Sequence, residues 1–461
     1  MRILLLAASA ALAAAQPIRL HPANPHYYEF RGKPTVLVTS AEHYGAVLNG
    51  SFNYVKYLDT LAKDGLNLTR VFTGVYHEVP GDFGITRNTL APPAASYVSP
   101  FLKVGAKYDL AKWNPAYWTR LKSFVAEAAK RGIVVEVTLF CVYYRDAMWN
   151  QSPLNVKNNV NGVGDLLRTD VLTMKNAKMV AVQEVFARKV ADELRAADNV
   201  ILEICNEPYV RGVEAAPDWQ RHIAKTLRGR HLVAQNIANN TASVEDPDPN
   251  VSVFNFHYAR PPVAVAQNMG LNRVIGLDET GFDGTLDAIY RIQAWDFLAA
   301  GGAHYNNLDY SFVAGHEDGS FLVPGNAPGG GSAALRQQLG HLLRVFSRID
   351  FATMKPANIV MGGVPEGASV RVLAQEGTQY LVYLHTGRVL ANHRPRYVYR
   401  TDQQLGALLV NLPAGRYKVE WWNTRSGKAD STETFTHDGG RTHLAWPPFT
   451  EDIAATVTAI Q

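Results

Sequence analysis

Glu207 and Glu279 are the residues whose types and spacing could do chemistry. Glu207 ends the apolar run of "NVILEICNEPY" (199–209), side by side with Asn206 and Pro208. Glu279 ends "RVIGLDE" (273–279). Pro208 cannot extend a strand ladder and fixes the turn beyond the carboxylate. Two carboxylates facing one another over a cleft can break a glycosidic bond. One is held protonated and gives its proton to the leaving oxygen; the other stays ionised and attacks the anomeric carbon. Their surroundings must then push the two pKa values apart. Carboxyl groups ~5 Å apart would retain the anomeric configuration, and groups ~6.5–9.5 Å apart would invert it.

Positioning such a pair is the work of alternating strands and helices. Strands are expected at 35–41, 66–72, 133–140, 199–206, 230–236, 251–258, 273–279 and 301–310. Helices are expected at 52–65, 115–131, 170–196, 217–228, 285–299 and 333–348, the first stopped by Gly65. Strongly apolar strands fit a parallel sheet covered by helices. Eight strand–helix units fit a closed (β/α)8 TIM barrel. An open doubly wound sheet would show a Gly-rich phosphate turn after its first strand, and "TSAEHYGAVLNG" has none. The stretch 74–112, with Gly81, Gly84, Pro92, Pro93 and Pro100, reads as an elaborated loop forming one wall of the cleft. After about residue 355 the texture changes to short alternating strands, among them "QYLVYLHTG" and "GRYKVEWWN", which fits a small all-β sandwich. The fold class is thus α/β. Residues 16–352 form the barrel, with a hairpin at 17–34 plugging its bottom, and 353–461 form the sandwich.

In such a barrel the active site lies at the C-terminal ends of the strands. The polar residues there are Glu42 and His43; Arg70; Tyr143 and Tyr144; Asn206 and Glu207; Gln235 and Asn236; His257 and Tyr258; Asp278 and Glu279; and His304, Asn306, Asn307 and Asp309. Arg70 and Tyr258 would keep the attacking carboxylate ionised by charge and hydrogen bond. Trp149 in "DAMWNQSP" is expected to stack on a pyranose ring. "AGHEDGS" (314–320) would bring Glu317, with His316 and Asp318, to the rim to hold hydroxyls.

"ILEICNEP" resembles the strand-four signature of glycoside hydrolase clan A, and "VIGLDETGF" its strand-seven signature. Residues 17–350 are similar to cellulase-like family 5 members and their relatives. The resemblance implies a retaining hydrolase of β-linked plant or microbial saccharides, with Glu207 as acid/base and Glu279 as nucleophile. It makes Asn206 the amide that binds the sugar 2-hydroxyl. Arg70 in "LTRVF" becomes the strand-two arginine supporting the nucleophile, and His257 and Tyr258 in "FNFHYAR" the strand-six pair. The family often spaces that pair two apart, whereas here they are adjacent. The usual strand-eight aromatic is replaced by "HYNNLDYSF". The tail resembles the sandwich of the putative collagen-binding type that follows many bacterial glycosidase barrels.

The opening "MRILLLAASAALAAAQP" reads as a secretory signal peptide over 1–15, so the chain is expected to be secreted or periplasmic. No later stretch is long and apolar enough to span a bilayer. A formal net charge of +4 without a dense basic tract gives no reason to expect nucleic acid. The expected partner is therefore a carbohydrate substrate, with no metal and no cofactor. Cys141 and Cys205 both fall in apolar strand-like runs, and adjacent parallel strands make poor disulfide geometry, so two buried thiols are expected. A metal-dependent hydrolase would need clustered histidines, and strand one offers only His43. A non-catalytic carbohydrate-binding or adhesion protein would need no matched acid and nucleophile.

Overall fold

A computed structural model describes residues 16–229, 231–390 and 396–460. The leader at 1–15 lies outside the described residues. Eight parallel strands form the barrel: β1 (Leu37–Ala41), β2 (Leu68–Phe72), β3 (Val134–Cys141), β4 (Val200–Asn206), β5 (Leu232–Asn239), β6 (Val253–His257), β7 (Val274–Thr280) and β8 (His304–Leu308). The hydrogen-bonded order runs β1-β8-β7-β6-β5-β4-β3-β2. The β1–β2 seam is closed by the Asn67 side chain. Its amide donates to Val36 O at 2.8 Å, and its oxygen accepts from Val38 N at 2.8 Å.

Helices start where the sequence supplies caps. Asn53, Asn114, Asn176 and Ser332 each turn a side-chain oxygen back onto a first-turn N–H. The helix expected over 170–196 spans Ala177–Glu193, preceded by a single turn at Arg168–Asp170. The 74–112 loop is corrected in part, because it contains a hairpin of Phe101–Val104 paired with Lys107–Trp113. Short strands at Arg19–Leu20, Tyr28–Phe30 and Lys33–Thr35 form a three-stranded sheet. From it, buried Tyr28 reaches the start of β8, its hydroxyl 3.1 Å from His304 Nδ1.

The C-terminal unit packs a six-stranded antiparallel sheet on a three-stranded one. In strand Gln379–His385, Tyr380, Val382 and Leu384 enter the sandwich core while Leu381 and Tyr383 join the barrel core. This is the two-face alternation of a strand buried on both sides. The barrel helix Asp287–Ala299 fills the space between the units and is buried from Ala288 onward. Its Trp295 stacks on Tyr383, with ring centroids 5.4 Å apart and planes at 14°. One turn earlier, Arg291 bonds Asp452 at 2.5 Å, Glu451 at 3.3 Å and Gln338 at 2.8 Å.

Removing one partner of a buried ion pair strands the other charge. Arg291→Met should therefore destabilise the chain by about 3–5 kcal/mol. Urea unfolding followed by Trp fluorescence measures this. A midpoint equal to that of the wild type would show that the Arg291 pairing does not hold the two units together.

Candidate active site

The barrel interior carries a buried polar layer, and the site is built on top of it. Arg70, on β2, forms a two-pronged bond to Glu203 of β4, with Nε to Oε2 at 2.8 Å and Nη2 to Oε1 at 2.6 Å. The same guanidinium reaches Asn206 Oδ1 at 2.8 Å, Asp278 Oδ2 at 3.3 Å and Glu279 Oε2 at 3.4 Å. It lies over the Tyr44 ring at 4.6 Å, and Tyr44 stacks in turn on Phe72. This rigid plate of charge sits beneath the two glutamates.

Glu279 accepts from two tyrosine hydroxyls, Tyr258 at 2.6 Å and Tyr44 at 2.9 Å. Glu207 accepts from the Tyr144 hydroxyl at 2.6 Å and lies 3.1 Å from His257 Nδ1. A carboxylate oxygen of each glutamate and a ring nitrogen of His257 all lie within 4.8 Å of one another. Three such groups converge as metal ligands would, but each is already engaged by neighbouring side chains. His257 Nε2 faces Asp278 Oδ1 at 3.3 Å, and Asn236 donates to Asp278 Oδ2 at 3.0 Å.

Backbone irregularity makes this convergence possible. Successive strand residues normally face opposite sides. The β6–β7 register shifts between Phe256 and His257, so that His257 pairs with Glu279, and Asp278 and Glu279 both turn inward. Beyond the strand ends, Tyr44, Glu207, Tyr258 and Phe282 have φ of 60°, 48°, 51° and 58°. Side chains other than glycine adopt this left-handed region at a cost, and such strain gathers at functional sites. It also explains how adjacent residues serve one site. His257 ends β6 inside the barrel, and the left-handed turn at Tyr258 swings its ring back over Glu279.

The electrostatics follow from this packing. Burial raises the Glu207 pKa, but the His257 hydrogen bond and charge, the Tyr144 hydroxyl and Arg70 outweigh it, and the net direction is down. Burial opposes charge on His257, yet Glu279, Asp278 and Glu207 outweigh it and hold the imidazole well above its ordinary value. Asp278 is pulled down, against its burial, by Arg70 and His257. Burial pushes Glu203 up to about 7 despite Arg70. Burial and Glu279 keep the Tyr258 and Tyr44 hydroxyls protonated as donors. The resting site is therefore one cation-bearing imidazole set among carboxylates.

Neither a sequence-family model nor a curated protein sequence matches the chain. Solved structures do. One described as "Glycoside hydrolase" superposes with a TM-score of 0.64 at 14% identity, covering 96% of this chain and 97% of the other. A glycoside hydrolase family 5 structure from Bacteroides vulgatus gives 0.60 at 14% identity, with coverages of 96% and 93%. A second Bacteroides vulgatus structure, titled a putative glycoside hydrolase, gives 0.61 at 13%, with coverages of 96% and 82%. The chain has the fold of these glycoside hydrolases. The likeness covers barrel and sandwich together.

Within this glycoside hydrolase fold, the cleft is lined by His43, Tyr44, Phe72, Glu78, Phe83, Tyr144, Asn206, Glu207, Tyr258, Glu279 and Phe282. Arg70 and His257 lie directly beneath it. His43 is held at 3.1 Å from Glu78, on the loop after β2. Three other expected residues stand elsewhere. Trp149 is buried, bonds Leu166 O through its indole N–H at 3.0 Å, and packs on Tyr143, so it offers no sugar platform. Asn306 is fully buried, tying Asp278 O at 2.9 Å and Ala41 N at 3.3 Å, and so joins β7, β8 and β1 rather than facing the cleft. Glu317 is buried against Asn53 N and Gly315 N, both at 3.0 Å, and fastens the loop after β8 to the first barrel helix.

Tyr44, Glu203, Phe83 and Phe282 are site residues that the sequence did not single out. Position alone could have found Tyr44, which directly follows His43. Cys141 and Cys205 are buried free thiols on neighbouring β3 and β4.

Proposed function

We propose that the chain is a secreted retaining glycoside hydrolase that cleaves β-linked plant or microbial saccharides by double displacement. Glu279 attacks the anomeric carbon while Glu207 protonates the leaving oxygen. Glu207 then takes a proton from the water that releases the sugar from Glu279. Asn206, fixed by Arg70 and Tyr144, is placed to bind the sugar 2-hydroxyl. The tyrosines on Glu279 hold it aimed. One observation carries this reading: carboxylate oxygens of Glu207 and Glu279 approach within 4.8 Å at the strand ends. That closeness suits the retaining separation of ~5 Å rather than one that leaves room for a water. Secretion rests on the leader sequence alone.

A panel of aryl β-glycosides and β-glucan, mannan, xylan and galactan tests the activity. Proton NMR of the first product tests its course. Initial release of the β-anomer is expected. Release of the α-anomer overturns the retaining assignment. Activity lost to EDTA and restored by a divalent cation would overturn the metal-free mechanism, and place a cation between Glu207, His257 and Glu279.

A further inference from the structure

Phe83 and Phe282 are large apolar side chains left open to solvent inside a polar cleft, at 42% and 40% exposure. Each stands edge-on to the tyrosine that holds one of the two carboxylates. Phe83 meets Tyr144, the Glu207 tyrosine, with ring centroids 5.3 Å apart and planes at 84°. Phe282 meets Tyr258, the Glu279 tyrosine, at 6.3 Å and 77°. Exposed phenyl rings lose free energy to water and gain nothing from the polar groups around them.

The turn that presents Phe83 is built and fastened. It is "VPGDFG" (79–84), with left-handed φ at Gly81, Phe83 and Gly84. Buried Asp82 accepts from Val79 N at 3.2 Å and pairs with Arg145, the residue after Tyr144. Thus the turn that carries the ring is tied by an ion pair to the β3 end beside Tyr144. A phenylalanine in the left-handed region carries a backbone cost, and such strain gathers at functional sites.

We propose that Phe83 is the platform for the leaving group, and that it selects substrates whose leaving group presents a flat apolar face. This rests on the hydrolase reading above. Given that reading, the bond is cleaved between the ring over Glu279 and the group over Glu207. Phe83 stands on the Glu207 side and so meets the departing group. Phe282 stands on the Glu279 side and so meets the ring that is attacked. A flat apolar face is offered both by an aryl group and by the C–H face of a second pyranose. Phenyl has no hydroxyl or N–H of its own, so it ranks such groups by face area rather than by hydrogen bonding.

The test compares glycosides of one sugar, the one the wild type hydrolyses best, bearing methyl, aryl and pyranosyl leaving groups. Phe83→Ala should raise KM for the flat leaving groups by about 3- to 10-fold relative to the methyl glycoside. Phe83→Trp should restore it, while Phe83→Leu should not. A selective rise for the aryl glycoside alone assigns the platform to aryl leaving groups, and a rise for both includes the sugar face. Phe282→Ala should change all three substrates alike. Equal KM changes for all three substrates in Phe83→Ala, or none, overturn the assignment. Should the wild type hydrolyse no glycoside at all, the hydrolase reading itself fails and this assignment with it. Phe83 is on the surface, so loss of folding does not confound the comparison.

Discussion

Glu279→Ala should lower kcat by about 10⁴-fold or more, in line with removal of other enzymatic nucleophiles. The fold should persist, because Glu279 sits at a cleft wall and its loss leaves no buried cation unpaired. Arg70 still has its two-pronged bond to Glu203 and its contact with Asp278. The alanine also opens space at the anomeric carbon. A small anion such as azide should enter that space and restore turnover on aryl glycosides, giving a glycosyl azide of inverted configuration. The inversion is the informative part. One displacement by azide inverts, whereas the two displacements of the wild type retain. Activity within tenfold of the wild type would remove Glu279 from the nucleophile role. A retained azide product would do the same.

The residues that set this chemistry were legible to different degrees, for physical reasons. Glu207 and Glu279 stood out because an apolar strand that ends in a carboxylate must present it at a barrel rim. Arg70 stood out because a guanidinium inside "LTRVF" must find acidic partners when buried. Its main partner, Glu203, was hidden within the apolar run that ends at Glu207. Asn306 was misplaced because inward and outward positions alternate, and register shifts at the strand ends make that count unreliable. Trp149 and Phe83 show the limit for aromatics. Both lie in loops, and a loop ring reads the same whether it fills a core or faces a ligand. Only the three-dimensional path of the chain buries Trp149 against Tyr143 and leaves Phe83 open. Glu317 failed for a related reason. Sequence places it after β8 but gives no direction to the loop, which folds outward onto Asn53.

Removing the proton donor should cost an amount that depends on the leaving group. Glu207→Gln should lower kcat/KM about 10²–10⁴-fold for alkyl glycosides, the usual worth of general acid catalysis. Dinitrophenyl glycosides, whose leaving oxygen needs no proton, should lose far less. Equal losses for both would take Glu207 out of the acid role. Where the proton comes from is set by His257. Glu207, held below its usual range chiefly by His257 itself, arrives at neutral pH with no proton of its own to give. His257 Nδ1 lies against it and carries one, because surrounding carboxylates keep the imidazole charged. The pair therefore holds a single proton, on His257 at rest and drawn onto Glu207 as negative charge builds on the leaving oxygen. The raised pKa means that the proton is present below it and lost as pH rises through it. The basic limb of kcat/KM should accordingly lie above the ordinary histidine value of ~6.5. In His257→Gln the carboxyl group must hold the proton unaided, so the limb should move to lower pH. A limb that stays in place in His257→Gln would show that Glu207 keeps its own proton and that His257 serves only to position it.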